Sequence, residues 1–140
     1  MVHSSRARLY SVYGRILSTE EDLDHILLPT QGLPDLSYVL ATDGSPNKWE
    51  QSEIVYQSPY PGPDAKPRIV IWRQGEHHRV RLPGTAIYDL SPTSITCYPT
   101  PGVPAERLRI DLLGSMLSWW LELQGTPTLH ASAIVIKNHA

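Results

Sequence analysis

The sequence predicts an α+β domain: an antiparallel β meander packed on one long amphipathic helix and ending in a terminal strand. Three features lead there. Thirteen prolines and nine glycines cut the chain into short pieces, a pattern that favours strands joined by turns. Only residues 104–124 carry apolar side chains at helical spacing over several turns. A β-branched run, Ala133 to Ile136, then closes the sequence as a strand would.

The elements follow in order. Residues 7–13 alternate and stop at Gly14, as an opening strand does. Thr19 with Asp22 suggests the cap of a short helix over 19–28. Residues 29–35 read as a turn-rich link to a strand at 38–41, and 43–47 as a loop before a brief strand at 54–56. Prolines 59, 61, 63 and 67 make 58–67 a loop, because proline removes ladder donors. The clearest β signal is a hairpin, 68–73 and 78–82, turning around Gly75. In its second strand Arg79 and Arg81 share a face opposite Val80 and Leu82, which predicts one solvated face. Turns at Pro83-Gly84 and Ser91-Pro92 lead to strands 86–90 and 95–98, completing the meander.

Helix 104–124 has Pro104 in its first turn and Gly125 just past its end. Asp111, Ser115, Ser118 and Glu122 form its polar stripe. Leu108, Leu112, Leu113, Met116, Leu117, Trp120 and Leu123 form the apolar face.

Composition narrows the function classes. A net charge of −2 gives no basic surface for nucleic acid or an anionic membrane. The longest apolar stretch, 112–123, is interrupted by Gly114, Ser115, Ser118 and Glu122, short of the ~20 residues needed to span a bilayer. The single cysteine, Cys97, forms no internal disulfide, and the first residues hold no apolar signal segment. A soluble cytoplasmic protein is the expectation. The six histidines show no metal-ligand spacing, so no metal is expected. Cys97 reads as a buried apolar residue and Trp119-Trp120 as packing residues. Ser132 and His130 share a side of the terminal strand, yet no Gly-x-Ser-x-Gly elbow presents a nucleophile.

Several motifs resemble bacterial HPr serine kinase-like proteins: Tyr10-Ser-Val-Tyr-Gly14, Arg79-Val-Arg-Leu-Pro-Gly84, Leu112-Leu-Gly-Ser115 and above all Leu129-His-Ala-Ser-Ala133. The resemblance implies a variable N-terminal β-rich domain over residues 1–126. Residues 127–140 would then be the first strand of a P-loop kinase core, incomplete in this chain. The implied activity is ATP-dependent phosphorylation, with Mg²⁺, of a serine on a protein or peptide substrate. His130 is the one catalytic residue the resemblance suggests. The phosphate loop itself needs a Gly-Lys-Ser/Thr, and none of Lys48, Lys66 and Lys137 follows a glycine. The chain alone is therefore expected to be inactive, to bind no cofactor and to self-associate through its unpaired terminal strand, as a homo-oligomer or aggregate. Two rivals stand beside this reading. One is a stand-alone, non-enzymatic protein- or peptide-binding module; the other, a small hydrolase using an unrecognised Ser or His.

Overall fold

The structure is a computed structural model that describes residues 6–44, 52–62 and 64–129. It corrects the predicted fold class. The architecture is one nine-stranded mixed sheet, not an antiparallel meander on a long regular helix. Its strands are β1 (Arg8–Val12), β2 (Arg15–Thr19), β3 (Leu28–Pro29), β4 (Leu36–Leu40), β5 (Glu53–Gln57), β6 (Val70–Gln74), β7 (His77–Leu82), β8 (Ala86–Leu90) and β9 (Ser94–Pro99). Across the sheet they run β3-β1-β2-β4-β9-β8-β7-β6-β5.

The mixed character comes from β4, which pairs in parallel with both β2 and β9. It thereby joins an N-terminal hairpin to the run β5 to β9, whose pairs are all antiparallel. Nothing local in the sequence encodes that junction, since parallel partners are distant along the chain. No helix forms over the expected 19–28: strand β2 ends at Thr19 and strand β3 begins at Leu28. Tyr13 (φ 49°) and Gly14 (φ 73°) both take the left-handed region and connect Val12 to its partner Arg15. A two-residue hairpin turn of the type that matches strand twist demands that conformation. Thr19 ends β2, and its Oγ1 accepts the Glu21 amide at 3.1 Å, capping no helix. Residues 23–27 make only one tight turn, with the Ile26 and Leu27 amides donating to the Leu23 carbonyl.

The helical segment is broken in phase. Helix α1 (Ala105–Asp111) passes into a π-helical turn (Leu112–Met116) and then helix α2 (Leu117–Leu123). Pro104 lies just outside in extended conformation, and its carbonyl accepts the Arg107 amide at 3.0 Å. A π turn holds more residues than an α turn, so residues on either side of it occupy slipped faces. Hence Asp111, assigned to the polar stripe, is buried, and Leu123, assigned to the apolar face, is exposed. The C-terminus is held by a Schellman arrangement at Gly125 (φ 82°). There the Thr126 amide donates to Leu121 O at 2.8 Å and the Gly125 amide to Glu122 O at 2.9 Å. Residues 127–129 form no strand, and the expected run at 133–136 lies outside the described residues.

Alternation sorts the sheet into two faces. Tyr10, Leu17, Leu36, Tyr38, Ile95, Cys97, Tyr88, Leu90 and Val80 point toward the helical segment. They form one buried cluster with Leu108, Leu112, Met116, Leu117, Trp120 and Leu121. Two polar contacts fix the helical segment on this floor. The Trp120 indole N–H donates to Ser91 O at 3.0 Å, and the Tyr13 hydroxyl donates to Leu113 O, inside the π turn, at 3.0 Å.

Replacing Trp120 by Phe removes a donor and leaves the part-buried Ser91 carbonyl unpaired, so stability should fall by about 2 kcal/mol. Urea unfolding reads this directly. An unchanged midpoint would mean that the indole bond does not anchor the helix.

Candidate functional site

Two polar constellations stand out, one on each face of the sheet. On the helix side, Tyr38, Tyr88 and Cys97 lie on adjacent strands beneath Asp111 of α1. Burial pushes both phenols far up, and the nearby sulfur and the carboxylates add to that. Burial also raises the Cys97 thiol, although hydrogen bonds with Tyr88 and Tyr38 oppose the shift. A thiol held protonated is a poor nucleophile, so Cys97 is a packing residue, as its sequence context suggested. Tyr88 Oη has no partner of ordinary geometry, its neighbour being the Cys97 sulfur, a weak acceptor. Asp111 is equally under-satisfied. Its Oδ1 meets Arg107 Nε at 3.5 Å, and its Oδ2 is buried without a partner. Burial raises its carboxyl above the usual range, while Arg107 pulls the other way.

The opposite face carries charge available for binding. Across it run two rows set by register, Trp72–Arg79–Asp89–Thr96 and Val70–Arg81–Ile87–Tyr98. Arg79 and Asp89 form a two-point ion pair, Nε to Oδ1 at 2.6 Å and Nη2 to Oδ2 at 2.7 Å. Arg79 itself is only 6% exposed, although Trp72, Arg81, Ile87, Asp89, Thr96 and Tyr98 on the same face are only half-buried. Arg81 stacks over the Trp72 ring, its guanidinium carbon 5.9 Å from the ring centroid. Its Nε is buried and hydrogen-bonded to nothing. Burial raises the Tyr98 phenol, with the Asp89 charge adding to the rise and Arg79 opposing it.

Beside these rows opens a cleft of about 350 Å³, lined among others by Asp64, Lys66, Arg81, Ile87, Tyr98 and Thr100. Asp64 and Lys66 supply part of its wall. The Gly62 amide donates to Lys66 O at 2.7 Å, and Asp64 Oδ1 accepts the Lys66 amide at 3.1 Å. Asp64 is thus directed at backbone. Arg8, Arg73, Arg79 and Arg107 all have carboxylate partners. Among the described residues, neither Lys66 nor Arg81 has one. The arrangement suits binding of an anionic group and offers no activated nucleophile.

His130 and Ser132, the candidates that the sequence suggests on the terminal strand, lie outside the described residues. Of the adjacent pair, His77 is exposed and His78 half-buried. Burial, then the Arg73 charge, lowers the His78 imidazole. Trp119 lines an apolar groove with Ile71, Val80 and Leu90. Among the described residues no cluster of three His, Cys, Asp or Glu side chains is placed to hold a metal, and no helix is long and apolar enough to cross a membrane. Lys66 and Arg81 escaped sequence reasoning, because a cleft between a loop and a distant strand leaves no local pattern. Asp89 did leave a signal, a lone carboxylate in the otherwise apolar strand 86–90. Comparison with known proteins gives no match to a family model, a curated protein or a solved structure.

Two outcomes test these constellations. Asp89→Ala removes the two-point carboxylate partner of the buried Arg79 guanidinium and should cost about 3–5 kcal/mol, whereas Arg79→Met with Asp89→Leu should recover most of it. Chemical denaturation of the three proteins distinguishes a buried pair from an inert surface one. For Asp111→Asn the effect depends on pH. Below about pH 3.8 the acid is neutral in both folded and unfolded chains; above it, ionisation is penalised only in the fold. The amide variant should therefore gain stability relative to the parent as pH rises from 4 to 7, and thermal melts across that range should show the gap widening.

Proposed function

We propose that this sheet domain is a protein- or peptide-recognition module, serving as the N-terminal part of an HPr serine kinase-like protein. The observation that carries the recognition reading is the open cleft on the sheet face away from the helix, whose two cations have no carboxylate partner among the described residues. A concave site with a few convergent polar groups over an apolar floor is the usual form of a binding site. The kinase setting is supported by resemblance. The Arg79 to Gly84 motif builds β7 and the turn at the cleft wall. The Leu112 to Ser115 motif coincides with most of the π turn, and the Leu129 to Ala133 motif follows the helix cap. In this proposal the domain holds the substrate while ATP, Mg²⁺ and a glycine-rich loop outside this sequence carry out phosphoryl transfer to a serine. His130 would belong to that kinase core.

The chain should bind a subset of peptides on an array of extended decapeptides of mixed composition, and calorimetry with MgATP should show no saturable binding. An array with no bound peptide would overturn the recognition role. Micromolar MgATP affinity would overturn the division of labour between this domain and the kinase core.

A further inference from the structure

Resting on the recognition reading, we infer that the cleft is specific for acidic peptide segments, with Lys66 and Arg81 together receiving a carboxylate side chain. Charge complementarity is the ground. The lining residues hold two cations against one carboxylate, Asp64, whose Oδ1 is occupied by the Lys66 amide. Arg81 is fixed in place by stacking on Trp72 and keeps an unsatisfied guanidinium nitrogen. A planar guanidinium held this way loses little freedom on pairing, and its geometry matches the two oxygens of a carboxylate. Lys66 is exposed on a turn that its own backbone bonds close. It adds a second positive charge to the cleft lining. Ile87 gives the floor an apolar stretch and Tyr98 and Thr100 add hydroxyls, which suits a methylene stem ending in a carboxylate better than a bare inorganic anion. The Arg79–Asp89 pair beside them is already neutralised and buried, so it adds no competing charge.

The test uses the full chain and a fluorescein-labelled, amidated tetraglutamate peptide, read by fluorescence anisotropy, with tetraglutamine as the neutral control. Saturable binding of tetraglutamate is expected, weakening as ionic strength rises from about 0.01 M to about 0.15 M, with no binding of tetraglutamine. Lys66→Glu reverses an exposed charge and should weaken binding at least about tenfold while leaving the melting temperature unchanged. Arg81→Met keeps the side-chain bulk and should abolish binding; if it unfolds the domain, the Lys66 variant still decides. Equal binding of tetraglutamine, or full affinity in Lys66→Glu, would overturn the inference. So would competition by inorganic phosphate at concentrations equal to the peptide's, since the site would then recognise any anion. Failure of tetraglutamate alongside other peptides bound on the array sinks this specificity alone, whereas an array with no bound peptide removes the recognition role as well.

Discussion

Covering one face of a wide sheet with a single helical segment is the constraint on which the rest of this structure depends. Nine strands at about 4.8 Å spacing make a sheet nearly 40 Å across, while residues 105–123 form a rod of about 28 Å. The helix therefore serves the middle of the sheet. Core residues cluster on β1, β2, β4, β7, β8 and β9, and the edge strand β5 shows Ile54, Val55 and Tyr56 to solvent. The π turn belongs to the same problem. By slipping the helical phase it keeps Leu108, Leu112, Met116, Leu117, Trp120 and Leu121 over the sheet along the whole rod.

That slip has an electrostatic side effect. Asp111 ends on the buried side with an unpaired oxygen, and the Tyr88 hydroxyl nearby is likewise without a partner of ordinary geometry. A carboxylate in such a place destabilises the fold as long as it is ionised. The opposite face solves the same problem differently. There a full charge is buried together with its partner in a two-point bond, and a second arginine rests on an indole ring. One face thus serves cohesion, and the other presents positive charge at a cleft.

How much of this was legible in the sequence depends on the range of the interaction. The hairpin of β6 and β7, the turn into β8 and the Gly125 cap were legible, since alternation, a glycine-containing turn and a helix-ending glycine are local signals. The β1–β2 hairpin was not, because its first turn residue is Tyr13, a side chain that rarely takes positive φ. The acidic stretch after Thr19 looked like a helix start only because capping residues and tight turns draw on the same side chains. Arg79 looked solvated because alternation tells which residues share a face and says nothing of what covers that face.

By itself the sequence determined the short-strand character of the chain and the position of its helical stretch. Each of these rests on neighbours within a few residues. Only the tertiary structure decided that β4 lies parallel between β2 and β9, that a π turn shifts the helix face, and that Lys66 and Arg81 line one cleft. Those outcomes depend on pairings between distant segments, where the free energy of burying a shared core outweighs local preference.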